Sequence, residues 1–302
     1  MSWFFFAILS YLLTSVTVTL DKVIMKNALP RPVVYCFYMG VLSLFGLVFA
    51  FFGPVSFETK DIIAGVLVGG FFMLPLYIMY KAVFLNEASR VGPAIGALTP
   101  IFVSLFSYFF LGERLYKNEV FAFIILVLGG ILIFFEFNGN DWKNAKFQAY
   151  RILRVSALAA FLFGIYFVLL KLVYTHDNFI SGFVWTRLGS FLTAFLFLIP
   201  RSNRQLIFGE TKILKPKLGI LVAANKTISG IAFALLNYAI ALGSVTLVNA
   251  MQGLQYVFLL ILVVVLSHKY PQILSEAVSK KTLAQKIIAV VLIGLGLAIM
   301  AI

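Results

Sequence analysis

The residues best placed to do chemistry are two cations set inside apolar sequence. Arg187 lies in the run 179–199 and Lys226 in the run 218–242. An ionisable side chain at the centre of a bilayer costs about 2.5–3.5 kcal/mol on insertion scales, so it demands a partner or a wet cavity. At 1.5 Å per residue, Arg187 sits roughly 12 Å into its run and Lys226 roughly 13 Å into the next. Both are therefore near mid-depth of a hydrocarbon core about 30 Å thick. On this count no carboxylate reaches comparable depth, because Asp21, Glu58, Asp61, Glu87, Glu113, Glu119 and Glu136 fall near run ends or in connections. Two central cations without an anion suit a site for an anionic or carboxylate-bearing solute. The competing reading is structural, with both side chains snorkelling or bonding to carbonyls and amides of neighbouring helices.

Polar side chains gather in the same part of the chain. Asn225, Asn237, Asn249, Gln252, Gln255 and Tyr256 all fall in the runs 218–242 and 245–266. On a helix, Asn249, Gln252 and Tyr256 follow i, i+3, i+7 spacing and share a face. Two amides and a phenol on one face can read a carboxylate, an amine or a hydroxyl; they serve equally for interhelical hydrogen bonds, worth about 0.6 kcal/mol each. Tyr38 and Tyr77, in earlier runs, complete the candidate substrate-binding set. Tyr80 and Lys81 read instead as interfacial anchors.

The backbone of these runs carries its own signals. Pro75 and Pro100 remove a donor inside a span and are expected to kink it, which makes them candidate hinges. Gly65 with Gly69 and Gly92 with Gly96 have the small-xxx-small spacing that lets helices approach closely.

Composition says what must position these residues. Of 302 residues, 62% are hydrophobic, 33 are Phe and only 12% are charged, against roughly 25% charged in an ordinary soluble domain. Such a chain needs hydrocarbon around it. The net charge of +13 then belongs to connections lying beside anionic lipid rather than to a nucleic-acid surface. A single cysteine, Cys36, excludes an intramolecular disulfide framework and a cysteine-rich metal site. The histidines His176 and His268 are too isolated for a metal site. No His-Glu-x-x-His, Gly-x-Ser-x-Gly or phosphate-binding Gly-x4-Gly-Lys occurs, so no enzyme class, cofactor or metal is called for.

Ten near-spanning apolar runs recur, over 3–23, 33–52, 62–80, 91–111, 120–137, 155–174, 179–199, 218–242, 245–266 and 283–302. The first has neither the basic start nor the cleavage site of a signal peptide, so it is expected to remain as a helix. A polar connection over 138–154 separates five runs from five, dividing the chain into halves 1–137 and 155–302. The halves overlay in order: Leu111-Gly112-Glu113-Arg114 matches Leu266-Ser267-His268-Lys269, Ser89 matches Ser244, and Lys26 matches Lys171. An odd number of helices per half inverts the second relative to the first. The expected fold is thus an all-α polytopic membrane protein of ten transmembrane helices in two inverted five-helix repeats. Odd-numbered connections carry 18 Lys and Arg against 4 in the even ones, which by the positive-inside rule puts the odd connections in the cytoplasm.

Leu98-Thr99-Pro100-Ile101-Phe102 followed by Leu111-Gly112-Glu113-Arg114-Leu115 is similar to the Pro-then-Leu-Gly-Glu pattern in the fourth helix of EamA-type proteins. Lys26 and Lys171 also fit positions where that family often has Lys. The chain as a whole therefore resembles the drug/metabolite transporter superfamily in its ten-helix form with two EamA repeats. The second half departs from the pattern, with Gln255 in place of Pro100 and His268 in place of Glu113. The resemblance implies secondary transport of small polar metabolites, often amino acids, through a central cavity between the halves, in the plasma membrane. Small multidrug exporters of the superfamily rely on a membrane-embedded glutamate, whereas the first helix here has Ser10, Tyr11, Thr14, Ser15 and Thr17. An amino-acid-like or organic-anion substrate is expected in preference to an organic cation. The alternative is a lipid-handling or assembly protein in which the central cations hold lipid headgroups.

Overall fold

In lipid the backbone must satisfy its own hydrogen bonds, and the described residues do so chiefly with helices. The computed structural model describes residues 2–25, 31–85, 88–134, 142–210, 216–267 and 280–301. Lys26, Glu87, Glu136, His268 and residues 138–141 lie outside the described residues. Helix α1 is Ser2–Met25, and α2 is Pro32–Leu42, which tightens into a 3-10 segment, Ser43–Phe52. They are followed by α3 Thr59–Leu85, α4 Ala88–Phe106 with a π turn at Ser107–Leu111, and α5 Lys117–Phe134. Then come α6 Trp142–His176, α7 Phe179–Ala194 with a 3-10 turn at Phe195–Leu198, and α8 Arg201–Glu210. The last elements are α9 Pro216–Leu242, α10 Val245–Ala250, α11 Gly253–Ser267 and α12 Lys280–Ala301.

Among the described residues, seven segments are long and apolar enough to cross a membrane: Ser2–Asp21, Pro32–Phe52, Thr59–Leu85, Ala94–Leu111, Ile152–His176, Phe179–Leu198 and Val245–Leu262. The other three expected runs fall on α5, α9 and α12, the last with a shorter apolar stretch, Ala284–Met300. The chain is a helical, polytopic membrane protein with seven such spans among the described residues.

One local expectation changes. The connection 138–154 is helical from Trp142 onward, as the start of α6. Arg201 and Asn203 lie in the short α8, where the Asn203 Nδ2 and Arg204 Nε donate to the Phe197 and Leu198 carbonyls, at 3.1 and 2.6 Å, and close the end of α7. Pro75 sits inside an α3 that runs unbroken. Helix starts are capped as their residue types predict: the side chains of Asn178 and Ser244 accept from the backbone N–H groups of Ser181 and Leu247. Gly112 closes the π turn at φ 65°, a left-handed conformation that glycine adopts without a Cβ penalty.

Packing follows the small residues. Helix α1 packs along α9 and α11, α6 along α3 and α4, and α5 along α12, while α2 and its 3-10 extension lie against α7. The closest approach is between α3 and α7. There a Cβ on Gly69 would fall 1.9 Å from the Thr186 carbonyl oxygen, and one on Gly189 would fall 2.1 Å from that of Val66. Gly65 faces Trp185 in the same seam.

Candidate functional site

The helices surround a cavity of about 1810 Å³, lined from α1, α2, α3, α4, α6, α7, α9, α10, α11 and, through Lys286, α12. That exceeds the roughly 300–1,000 Å³ of an ordinary small-molecule site. Arg187 projects into it from α7 and is only 6% exposed. Its stem is accommodated by Gly46, where a Cβ would come within 2.5 Å of the Arg187 Cγ. The guanidinium rests among aromatic rings, 4.5 Å from the centre of Phe233, 5.3 Å from Phe183 and 5.6 Å from Phe72. Ring faces attract a desolvated cation, yet they leave its N–H groups unserved. The Arg187 Nη2 donates one long bond, 3.4 Å, to the Tyr166 hydroxyl, and the buried Nε has no partner. Among the described residues no carboxylate pairs with Arg187. A guanidinium has five donors in a planar fork matched to a carboxylate.

Lys226 also lines the cavity, but it is not a free cation. Its Nζ lies 3.3 Å from the Asp21 carboxylate, donates to the Tyr35 hydroxyl and sits 4.5 Å from the centre of that ring. Asn225 Nδ2 donates to the same Asp21 oxygen at 2.7 Å. The expectation of two unpaired central cations is therefore corrected to one. Counting depth along each run put Asp21 at a helix end, whereas antiparallel packing of α1 on α9 brings it level with Lys226.

The other expected site residues divide. Asn249, Gln252, Gln255 and Tyr256 line the cavity with Arg187 and Lys226. The Asn249 side chain donates to the Val245 carbonyl of its own helix, at 2.8 Å. Asn225 and Asn237 are buried outside the lining. Asn237 accepts from the Tyr174 hydroxyl at 2.7 Å and donates to the Phe233 carbonyl at 2.7 Å, so its polar atoms are spent on packing. Tyr38 packs on Phe37, and Tyr77 packs on Phe197. Neither tyrosine lines the cavity. Pro75 and Pro100 are buried within helices. Gly96 backs onto Tyr256, whose hydroxyl would lie 2.7 Å from an added Cβ, while at Gly92 the nearest atom would be 3.9 Å away. Sequence reasoning left out Asp21 and Tyr166, because neither pairing is visible without knowing which helices touch.

Two of the residues that carried the resemblance, Glu113 and Lys171, meet at the α9–α10 turn. The Glu113 carboxylate accepts from the Thr246 hydroxyl at 2.7 Å, and the Thr246 hydroxyl lies 2.6 Å from that of Ser107. Lys171 donates to the carbonyls of Ile240, Ala241 and Gly243, at 2.8, 3.0 and 2.8 Å. A cation on the last carbonyls of a helix offsets the negative end of its dipole, so these residues hold the helix end and do not reach into the cavity.

Residues 1–135 match the model of the EamA-like transporter family. Twenty-four chains of solved structures also match. One is a crystal structure of a protein that is 19% identical to this chain, with a TM-score of 0.71 over 99% of this chain and 98% of that one. At that identity the likeness shows a shared fold. No curated protein sequence matches. The chain is thus an integral, multi-pass membrane protein whose residues 1–135 are similar to the EamA-like transporter family.

Proposed function

We propose that this protein is a secondary transporter of small organic anions and amino-acid-like solutes in the plasma membrane, with Arg187 holding the substrate carboxylate. The observation that carries the reading is the buried, cavity-facing guanidinium of Arg187, which has one long hydrogen bond and no acidic partner among the described residues. Lys226 is neutralised by Asp21, so the charge left over in this part of the cavity is that of Arg187. A carboxylate there supplies both the missing charge and the missing acceptors.

The packing supports alternating access between two inverted halves. Setting α1, α2, α3, α4 and α5 against α6, α7, α9, α10–α11 and α12 exchanges the helices of the two halves. The α1–α9 contact then corresponds to α6–α3, and α1–α11 corresponds to α6–α4; all four are packed. The correspondence is incomplete: α3 and α7 are in close contact, whereas among the described residues α2 and α9, joined by the Lys226–Tyr35 bond, are not packed along one another. Closing α2 on α9 and opening α3 from α7 is the movement that exposes a central site first to one side and then to the other.

The test is thermal unfolding of the purified protein against a metabolite library rich in amino acids and organic anions. A ligand at 100 times its Kd adds about 2.7 kcal/mol. Stabilisation by carboxylates that disappears in Arg187→Met supports the reading, and stabilisation by amines alone refutes it. Lipid handling is favoured by one observation, the exposed apolar residues on the cavity wall. Stabilisation by a particular lipid, with none by any water-soluble solute, selects that role instead.

A further inference from the structure

Among the described residues, α2 and α9 meet through the Lys226–Tyr35 bond but are not packed along one another, and beyond that bond they leave a slot between them. On one wall stand Phe45, Val48 and Phe52 of the 3-10 segment, and on the other Thr227, Gly230 and Ile231 of α9; all six are exposed and line the cavity. Phe45 and Phe52 are 73% and 74% exposed and Ile231 is 51% exposed, although they belong to helices whose neighbours are membrane-spanning. Cavity-lining residues on α9 run from Val222 to Tyr238, which is about 24 Å at 1.5 Å per residue. The cavity lining on α9 thus extends over most of a hydrocarbon core about 30 Å thick.

The charged site lies directly behind both walls. Gly46, between Phe45 and Val48, carries the stem of Arg187 against it, and Phe233, two residues beyond Ile231, holds the guanidinium 4.5 Å from its ring centre. A molecule seated on Arg187 thus has polar ground at one end and an apolar opening toward the acyl chains at the other. A solute with no apolar part would leave the aromatic walls wet. A neutral amphipath would leave the Arg187 charge unmet.

We infer that the cavity takes amphipathic monoanions, binding the oxyanion on Arg187 and the apolar tail in the slot between the Ser43–Phe52 segment and α9, with lateral access from the bilayer. This rests on the anion-binding reading of Arg187 and narrows it to one class of substrate.

The experiment measures equilibrium binding of radiolabelled butyrate and decanoate to the full chain in nanodiscs, with counts on empty nanodiscs subtracted. Each methylene that the slot covers adds about fourfold in affinity, so decanoate should bind about tenfold or more tightly than butyrate even if only part of its tail is enclosed. Gly230→Phe fills the slot from a position where an added Cβ meets nothing within 4 Å, and it should collapse that ratio. Val48→Trp on the facing wall should act in the same way. Arg187→Met should lower the affinity for both probes. Equal binding of butyrate and decanoate, unchanged by Gly230→Phe and Val48→Trp, overturns the lateral slot while leaving the anion site standing. Binding of neither probe to the parent, or undiminished binding of both to Arg187→Met, overturns the anion site and this inference with it.

Discussion

The Lys226 ammonium on α9 lies 3.3 Å from the Asp21 carboxylate on α1, and Asn225 donates to the same carboxylate oxygen at 2.7 Å. The pair ties two helices from opposite halves of the chain at the edge of the cavity. Its side chains are 14% and 25% exposed, so water screens it in part. Breaking a fully buried pair costs about 3–5 kcal/mol, and here Asp21→Asn should cost about 1–3 kcal/mol by leaving Lys226 uncompensated. The double variant Asp21→Asn with Lys226→Met should recover most of that loss. Thermal unfolding of the four members of the cycle checks this, and losses that simply add would show that the two residues are not coupled.

Arg187 behaves oppositely. A buried cation without a carboxylate is a strain on the ligand-free protein, and replacing it with an apolar side chain of similar length removes that strain. Arg187→Met should unfold at the same temperature as the parent or higher, and it should lose stabilisation by carboxylates. A marked fall in its ligand-free melting temperature would mean that the ring contacts and the Tyr166 bond already satisfy the guanidinium.

Glycines with the same spacing have different roles. At Gly69 a methyl group meets a carbonyl oxygen at 1.9 Å, so α3 and α7 must part, and Gly69→Ala should cost about 1–3 kcal/mol. At Gly92 the nearest atom is 3.9 Å away, and Gly92→Ala should be neutral or stabilising by up to about 1 kcal/mol through helix propensity. Melting temperatures of the two variants in one detergent decide the matter, and equal losses would contradict the packing described.

Lys171 joins α6 to the end of α9 through three carbonyls. Lys171→Met removes all three bonds and should destabilise the protein by about 1–2 kcal/mol, the cation being partly exposed. Hydrogen exchange at the turn following Leu242 should quicken in the variant. Unchanged exchange there would place the residue's role elsewhere.

Much of the fold is legible in the sequence, because hydrophobic runs of spanning length have few alternatives to helix in lipid. Gly65 and Gly69 mark the α3–α7 seam, and Arg187 announces itself as a cation in an apolar run. What depends on helix pairing is not legible. Asp21 reads as a helix-end residue until α1 is laid along α9. Asn237 reads as a binding amide until Tyr174 is found beside it, and Tyr38 and Tyr77 are indistinguishable from cavity residues by type alone. The tightening of α2 at Ser43 has no signature in a run of Leu, Val and Phe. Nor does the slot, since it depends on how far α2 and α9 pack along one another.

The central claim, that Arg187 is the anion site of a transporter, is tested most directly by counterflow in proteoliposomes. Vesicles are loaded with the carboxylate that most stabilises the parent, and entry of the labelled solute is followed. Parent vesicles should accumulate label transiently above the level of protein-free vesicles, whereas Arg187→Met, with its thermal transition intact, should not. Accumulation by Arg187→Met equal to that of the parent would contradict the account.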